Sequence, residues 1–109
     1  MFKVIDNPEF SRKVAISVPV DGGFENQSLG VRFRVLSQDR IAAILEATPG
    51  NFLPLVNEMV VSLEDLADVD GQPLAYNDAV RAAVLDMPFV RTGILGAYSE
   101  AVSGAKRGN

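Results

Sequence analysis

The chain contains no cysteine and no histidine. Without cysteine it can form no disulfide, thiolate zinc site or iron–sulfur cluster, and it has no cysteine nucleophile. Without histidine it lacks the commonest general base near neutral pH and the commonest transition-metal ligand. No other group of residues suggests catalysis. We therefore predict that the protein is not an enzyme and has no catalytic, cofactor-binding or metal-binding residues.

Long apolar runs and clustered basic residues are also missing. The opening segment MFKVIDNPEF does not resemble a signal peptide, and nowhere do about 18 apolar residues follow one another, as a membrane-spanning helix requires. Lysine and arginine are scattered and the net charge is −4, so no basic surface for phosphates is expected. We predict a cytoplasmic protein that contacts neither membrane nor nucleic acid.

The composition is that of one folded domain. The chain has 109 residues, of which 48% are hydrophobic and 22% are charged, as in ordinary globular proteins. This length supports one hydrophobic core but not two comfortable ones. We predict a single domain over residues 1–109, with frayed termini at about 1–10 and 104–109.

Alternating apolar residues predict an antiparallel β-hairpin at about 13–36. Apolar and mostly polar positions alternate through KVAISVPV, and again from Leu29 to Val35, while the turn-forming segment DGGFENQS separates the two runs. A hairpin alone is marginal in water, so helices must cover its apolar face. The residues predicted to form that face with the helices are Val14, Ile16, Val18, Val31, Phe33 and Val35.

Apolar residues at helical spacing predict three to four helices, which makes the fold class α+β. Ser37, Asn51 and Asn77 are candidate amino-terminal caps, and Pro88 suits the first turn of a last helix. The predicted helices cover about residues 38–47, 52–66, 78–87 and 88–103.

The segment ADVDGQPLAYND, residues 67–78, partly resembles a calcium-binding loop. With Gly71 at the sixth position, Asp68 and Asp70 fall at ligand positions, but Leu66 occupies the first position and Asn77 the twelfth, where a glutamate is needed. The alternative is a turn at Asp70-Gly71, followed by extended chain and the cap Asn77. Two essential ligands are absent, so the pattern favours the turn.

The last helix carries more apolar surface than a short hairpin would cover. We call Phe89, Val90, Tyr98 and Val102 the carboxy-terminal stripe. Apolar residues on helices are usually core, but an uncovered remainder would be a docking surface. The carboxy-terminal stripe is therefore the predicted partner-binding site.

The order of segments resembles a known family. The strand ending VPVDGGF, the strand VRFRVL, the connection SLEDLADVDGQPLAYND and the terminus MPFVRTGILGAYSEAVSGAKRGN look like the small tail assembly chaperones of long-tailed bacteriophages and prophages. The resemblance covers nearly the whole chain. It has no catalytic content, and Leu63 stands where we would expect tryptophan in related sequences.

The resemblance implies a function and a partner. Such chaperones bind the tape measure protein and keep it soluble while the tail tube polymerises around it, and they are not expected in the mature virion. The location would then be the cytoplasm of a bacterial host. Many members also have a longer form made by ribosomal frameshifting, and GAKRGN lies where such a slip could occur.

Several alternatives remain open at this point. The chain could instead be a minor structural protein of the tail or of the head–tail junction, which would stay in the particle. The tail tube protein and a frameshifted longer form are further candidate partners, and a homo-oligomer is also compatible with the sequence.

Overall fold

The computed structural model describes residues 1–104, which form an α+β fold, as predicted. A three-stranded antiparallel sheet has the order β1-β2-β3, and helices pack against its apolar face. The elements, in chain order, are β1 (Glu9–Val20), β2 (Gly23–Arg34), α1 (Gln38–Ala47), α2 (Leu53–Met59), β3 (Val60–Glu64), α3 (Asp78–Leu85) and α4 (Pro88–Ser103).

The amino-terminal hairpin is confirmed, and both its strands are longer than predicted. Each strand has 12 residues, and the pairing runs in register from Glu9↔Arg34 to Val20↔Gly23. Gly22 lies in the turn with φ +79°, a conformation that glycine adopts without a steric penalty. The two outer positions of the predicted apolar face, Val18 and Val35, are only half-buried, while its other four residues are buried.

The prediction of one helix over residues 52–66 was wrong in its second half. Helix α2 ends at Met59, and β3 begins at the next residue and pairs with β2. The pairing skips Val61, because Phe33 faces Val60 while Arg32 faces Ser62. Such a β-bulge places one extra residue in a strand and resets which face the next side chains occupy. Val60 and Leu63 therefore both reach the core although they are three residues apart.

Arg81 of α3 holds the backbone where α2 changes into β3. Its Nη2 donates to the carbonyl oxygens of Asn57 and Val60, both at 2.8 Å, and its Nη1 donates to the Tyr76 hydroxyl at 3.1 Å. A helix end leaves backbone carbonyls without hydrogen-bond partners in the helix, and a bulge leaves backbone groups without partners in the strand ladder. The planar guanidinium satisfies several of these acceptors at once.

Replacing Arg81 by methionine is expected to destabilise the protein by about 1.5–3 kcal/mol, the usual range for hydrogen bonds to a charged group. Methionine keeps the apolar stem but donates nothing to the carbonyls of Asn57 and Val60. Urea denaturation would measure the change, with Lys13→Met, an exposed cation in β1, as the control. Equal midpoints for the two variants would contradict the role of Arg81.

Helix starts were predictable from local chemistry. Ser37 caps α1 by accepting from the Arg40 amide at 3.1 Å, and Asn77 caps α3 by accepting from the Val80 amide at 2.9 Å. Pro88 is the first residue of α4, as predicted. Asn51 lies one position before the cap of α2, which is Phe52, but its side chain still accepts from the Leu53 amide.

The core lies between the sheet and the helices, and α4 packs closely against β1. A Cβ atom at Gly93 would lie 2.6 Å from Ile16 Cδ1 and 3.1 Å from the Ala15 carbonyl oxygen, so glycine permits the close approach. Leu63, where tryptophan was expected, is buried in β3 with 3% exposure. The smaller side chain therefore occupies a full core position.

The amino-terminal end of the chain differs from the prediction in extent, whereas the last helix ends where it was predicted to end. The segment predicted to fray at residues 1–10 includes Glu9 and Phe10, which belong to β1, and the Phe10 ring stacks on Phe33 at 5.1 Å between centroids. At the other end, α4 continues to Ser103, and Gly104 ends it with φ +70°. Residues 105–109 of the predicted carboxy-terminal frayed segment lie outside the described part of the chain, as does most of GAKRGN.

Candidate functional site

An apolar groove opens between the distal half of the β-hairpin and the junction of α3 with α4. Its volume is about 380 Å³. Its floor is formed by Ile16 and Val18 of β1 and by Leu29 of β2. We call it the hairpin groove. It exists because β1 and β2 extend beyond the part of the sheet that the helices cover, which leaves Val18 half-buried.

The helical wall of the hairpin groove comes from the α3–α4 junction. Val84 lies in the last turn of α3, Met87 lies between the helices, and Phe89 lies in the first turn of α4. Met87 is 41% exposed, whereas Phe89 is half-buried against the core. Arg91 stabilises the junction because its Nη1 donates to the carbonyl oxygens of Leu85, at 3.1 Å, and Asp86, at 2.9 Å.

The opposite wall is the loop after β3, which begins with Asp65, Leu66, Ala67 and Asp68. An isolated bridge pairs Ala67 with Pro73, and the Leu74 amide donates to the Leu66 carbonyl at 2.9 Å. Leu66 is half-buried and faces the groove. The bridge therefore gives this wall a defined backbone without a regular helix or strand.

The loop that partly resembles a calcium site is a turn closed by its own aspartate. Asp68 Oδ1 accepts from the Asp70 amide at 2.9 Å and from the Gln72 amide at 3.0 Å, and Gly71 has φ +80°. This is the arrangement by which aspartate stabilises a turn, and it confirms the predicted turn at Asp70-Gly71. Within residues 1–104, no three or more acidic side chains are grouped so that they could hold a metal ion.

The charge along the hairpin groove has one sign. Its charged lining side chains are Asp65 and Asp68, both exposed at the rim, and no lysine or arginine lines it. An apolar floor with an acidic rim favours a ligand that combines apolar side chains with a cation. The lining therefore provides apolar contact and a place for charge pairing.

The carboxy-terminal stripe was expected to form one exposed surface, but the structure buries two of its four residues. Phe89 and Val90 line the hairpin groove, but Val90 is only 5% exposed and lies deep in it. Tyr98 is buried at 6% exposure, and its hydroxyl accepts from the Leu36 amide at 3.0 Å. Val102 is 50% exposed near the other end of α4. The longer hairpin is the reason, because it covers more of α4 than a short one could.

The hairpin groove also contains residues that the sequence did not identify as a site. Val18 was predicted to lie in the buried face of the hairpin, and Leu66 and Met87 were predicted to lie in helices. All three are partly or largely open to the groove. The three segments lie far apart in the chain, so no local pattern indicated that they meet.

Two other polar features lie outside the hairpin groove. A wider hollow between α2 and α3 has a volume of about 560 Å³, but the Arg81 guanidinium at its edge is already hydrogen-bonded to backbone carbonyls.

Arg40 of α1 forms a two-pronged ion pair with Glu58 of α2, with Nη2 to Oε2 at 2.7 Å. Its hydrogen bonds lower the pKa of Glu58 and raise the pKa of Arg40. This exposed pair connects two helices.

Comparisons of the chain with protein-family models, with curated proteins and with solved structures found no match in any of the three. The likeness to tail assembly chaperones therefore depends on the residues of this chain alone. Across residues 1–104, none of the helices has the length and apolar character needed to cross a bilayer.

Proposed function

We propose that this protein is a tail assembly chaperone of a long-tailed phage or prophage, which binds the tape measure protein and keeps it soluble while the tail tube assembles. One structural observation supports the proposal, the open apolar hairpin groove beside the α3–α4 junction. The second support is the resemblance of nearly the whole chain to that family. On this proposal the protein acts in the cytoplasm of the host and is absent from the mature virion.

The groove suits an amphipathic helix of the client. Such a helix buries its side chains at i, i+4 and i+7 in an apolar groove and leaves its polar face in water. Val18, Leu66 and Met87 would provide the contact surface from three sides. The net charge of −4 would help the complex to remain dispersed.

Co-expression with the tape measure protein tests the proposal. The chaperone should raise the soluble fraction of the tape measure protein, and the double variant Val18→Thr/Met87→Gln should lower binding by roughly tenfold. The reason is that each substitution places a polar group against the client where an apolar contact was made, and about 1.4 kcal/mol corresponds to tenfold in affinity. The soluble fraction and the dissociation constant for a client helix are the measurements.

Val102→Thr is the control, since Val102 is also apolar and is 50% exposed but lies near the other end of α4. It should leave client binding unchanged, and the melting temperatures of all variants should show that they are folded. No rise in client solubility with the wild-type protein would refute the chaperone function. Loss of binding in Val102→Thr, with full binding in the groove variant, would move the client site to the end of α4.

Mass spectrometry of purified virions separates this proposal from the alternative of a minor structural protein. A chaperone should be absent from the particle, and a structural subunit should be present in stoichiometric amounts. The tail tube protein and a frameshifted longer form remain candidate partners, and both would be sought in the same assembly extracts.

A further inference from the structure

Residues 1–6, which we call the N-terminal arm, present a row of apolar side chains to solvent. Phe2 is 90% exposed, Val4 is 88% exposed and Ile5 is 65% exposed. Contiguous exposed apolar residues of this size usually mark a contact with another molecule. The base of the arm is fixed, because the Pro8 carbonyl accepts from the Val35 amide at 3.0 Å next to the start of β1.

We propose that the N-terminal arm of one copy binds in the hairpin groove of a second copy. The arm and the groove are two apolar surfaces that the fold leaves open toward opposite ends of β1. The proposal concerns self-association and does not depend on the tape measure protein.

The length of β1 makes the second copy necessary. A strand rises about 3.3 Å per residue, so the groove floor at Ile16 and Val18 lies roughly 26–33 Å from Pro8. An extended chain from Pro8 carries Val4 at most about 14 Å and Phe2 at most about 21 Å, and it would first have to reverse its direction. The arm therefore cannot place Phe2 and Val4 in the groove of its own chain.

The chemistry of the arm matches that of the groove. In an extended segment, alternate side chains point to the same side, so Phe2 and Val4 can enter the groove together while Lys3 points out of its mouth, where its long side chain can reach the acidic rim. The arm has two charged side chains: the cation Lys3 lies between Phe2 and Val4, and the anion Asp6 lies next to the fixed base at Pro8. The groove has an apolar floor, and its charged lining residues are Asp65 and Asp68. Binding of the arm in the groove therefore places Phe2 and Val4 on the apolar floor and brings Lys3 near the acidic rim.

Arm exchange also defines the kinds of assembly that can form. Reciprocal exchange between two copies closes a symmetric dimer with both grooves filled, whereas one-way exchange builds a ring or a filament. In a dimer or a ring every groove is covered by an arm, and in a filament every groove except the one at its end is covered. A client helix and an arm cannot occupy one groove together, so self-association would shield the groove until a client arrives.

Sedimentation velocity on the full chain over a range of concentrations tests the proposal. The wild-type protein is expected to associate, and Phe2→Ser/Val4→Ser should weaken that association at least tenfold. Val18→Thr/Met87→Gln should weaken self-association by the same amount from the groove side. Lys3→Glu should weaken self-association more at low salt than at high salt. Val69→Ser is the control, because Val69 is fully exposed in the loop after β3 and lies outside the groove lining.

A mixing experiment assigns the two surfaces to each other. The arm variant has an intact groove and the groove variant has an intact arm, so an equimolar mixture should associate more tightly than either variant alone. A wild-type protein that stays monomeric at high concentration would overturn the proposal. Association that survives the arm substitutions, or a mixture that fails to associate, would also overturn it.

Discussion

Replacing Tyr98 by aspartate is expected to unfold the protein. The ring is 6% exposed and lies 5.8 Å from Phe33 and 6.3 Å from Phe10 between centroids. Losing a buried aromatic side chain costs about 3–5 kcal/mol, and an unpaired carboxylate in its place costs more. The sum is comparable to the whole stability of a small domain, about 5–15 kcal/mol.

Circular dichroism and thermal melting would show this result, and Tyr98→Phe is the matched control. Phenylalanine keeps the packing and removes only the hydroxyl that accepts from the Leu36 amide, so about 1–3 kcal/mol should be lost. A folded Tyr98→Asp protein that melts near the wild-type temperature would mean that Tyr98 is exposed. The expected unfolding also explains why Tyr98 cannot be used to test partner binding.

Replacing Phe33 by alanine is the second change with a large expected effect. Phe33 has 0% exposure, faces Phe10 across the hairpin and faces Val60 of β3 across the bulge. Its ring stacks on Phe10 and contacts Tyr98, so truncation leaves a cavity between the sheet and α4. Truncating a buried phenylalanine costs about 3–5 kcal/mol.

Chemical denaturation would measure the loss, with Phe24→Ala as the control on the same strand. Phe24 is 70% exposed near the hairpin turn, so its truncation should change the free energy of unfolding by less than about 0.5 kcal/mol. If Phe33→Ala were as stable as Phe24→Ala, the buried face of the hairpin would be assigned to the wrong side of β2. The register of β1 and β2 would then need revision, because a one-residue slip exchanges the two faces.

Part of the candidate site was visible in the sequence and part was not. Phe89 was identified from the apolar surplus of the last helix and does line the groove. Val18 and Leu66 were not identified, because each lies in a segment whose pattern is that of ordinary half-buried structure. A groove between three distant segments leaves no local signal in any of them.

The sequence by itself determined the elements whose causes are local. Period-2 alternation defines the hairpin, Gly22 and Gly71 have the positive φ of their turns, and Ser37 and Asn77 cap helices through bonds within three residues. These features depend on the conformational preferences and hydrogen bonds of neighbouring residues, so they can be read along the chain.

Only the tertiary structure decided that residues 60–64 form a strand and that Val90 and Tyr98 of the carboxy-terminal stripe are buried. Val60 and Leu63 have helical spacing, but β2 offers an unpaired edge, and the bulge at Val61 lets both side chains face the core from a strand. Arg81, which lies 21 residues beyond Val60, donates to the carbonyls that this arrangement exposes. Likewise, Tyr98 is buried because distant strands are long enough to cover it. Backbone pairing and burial between remote segments override local periodicity, and a single sequence does not reveal which segments will meet.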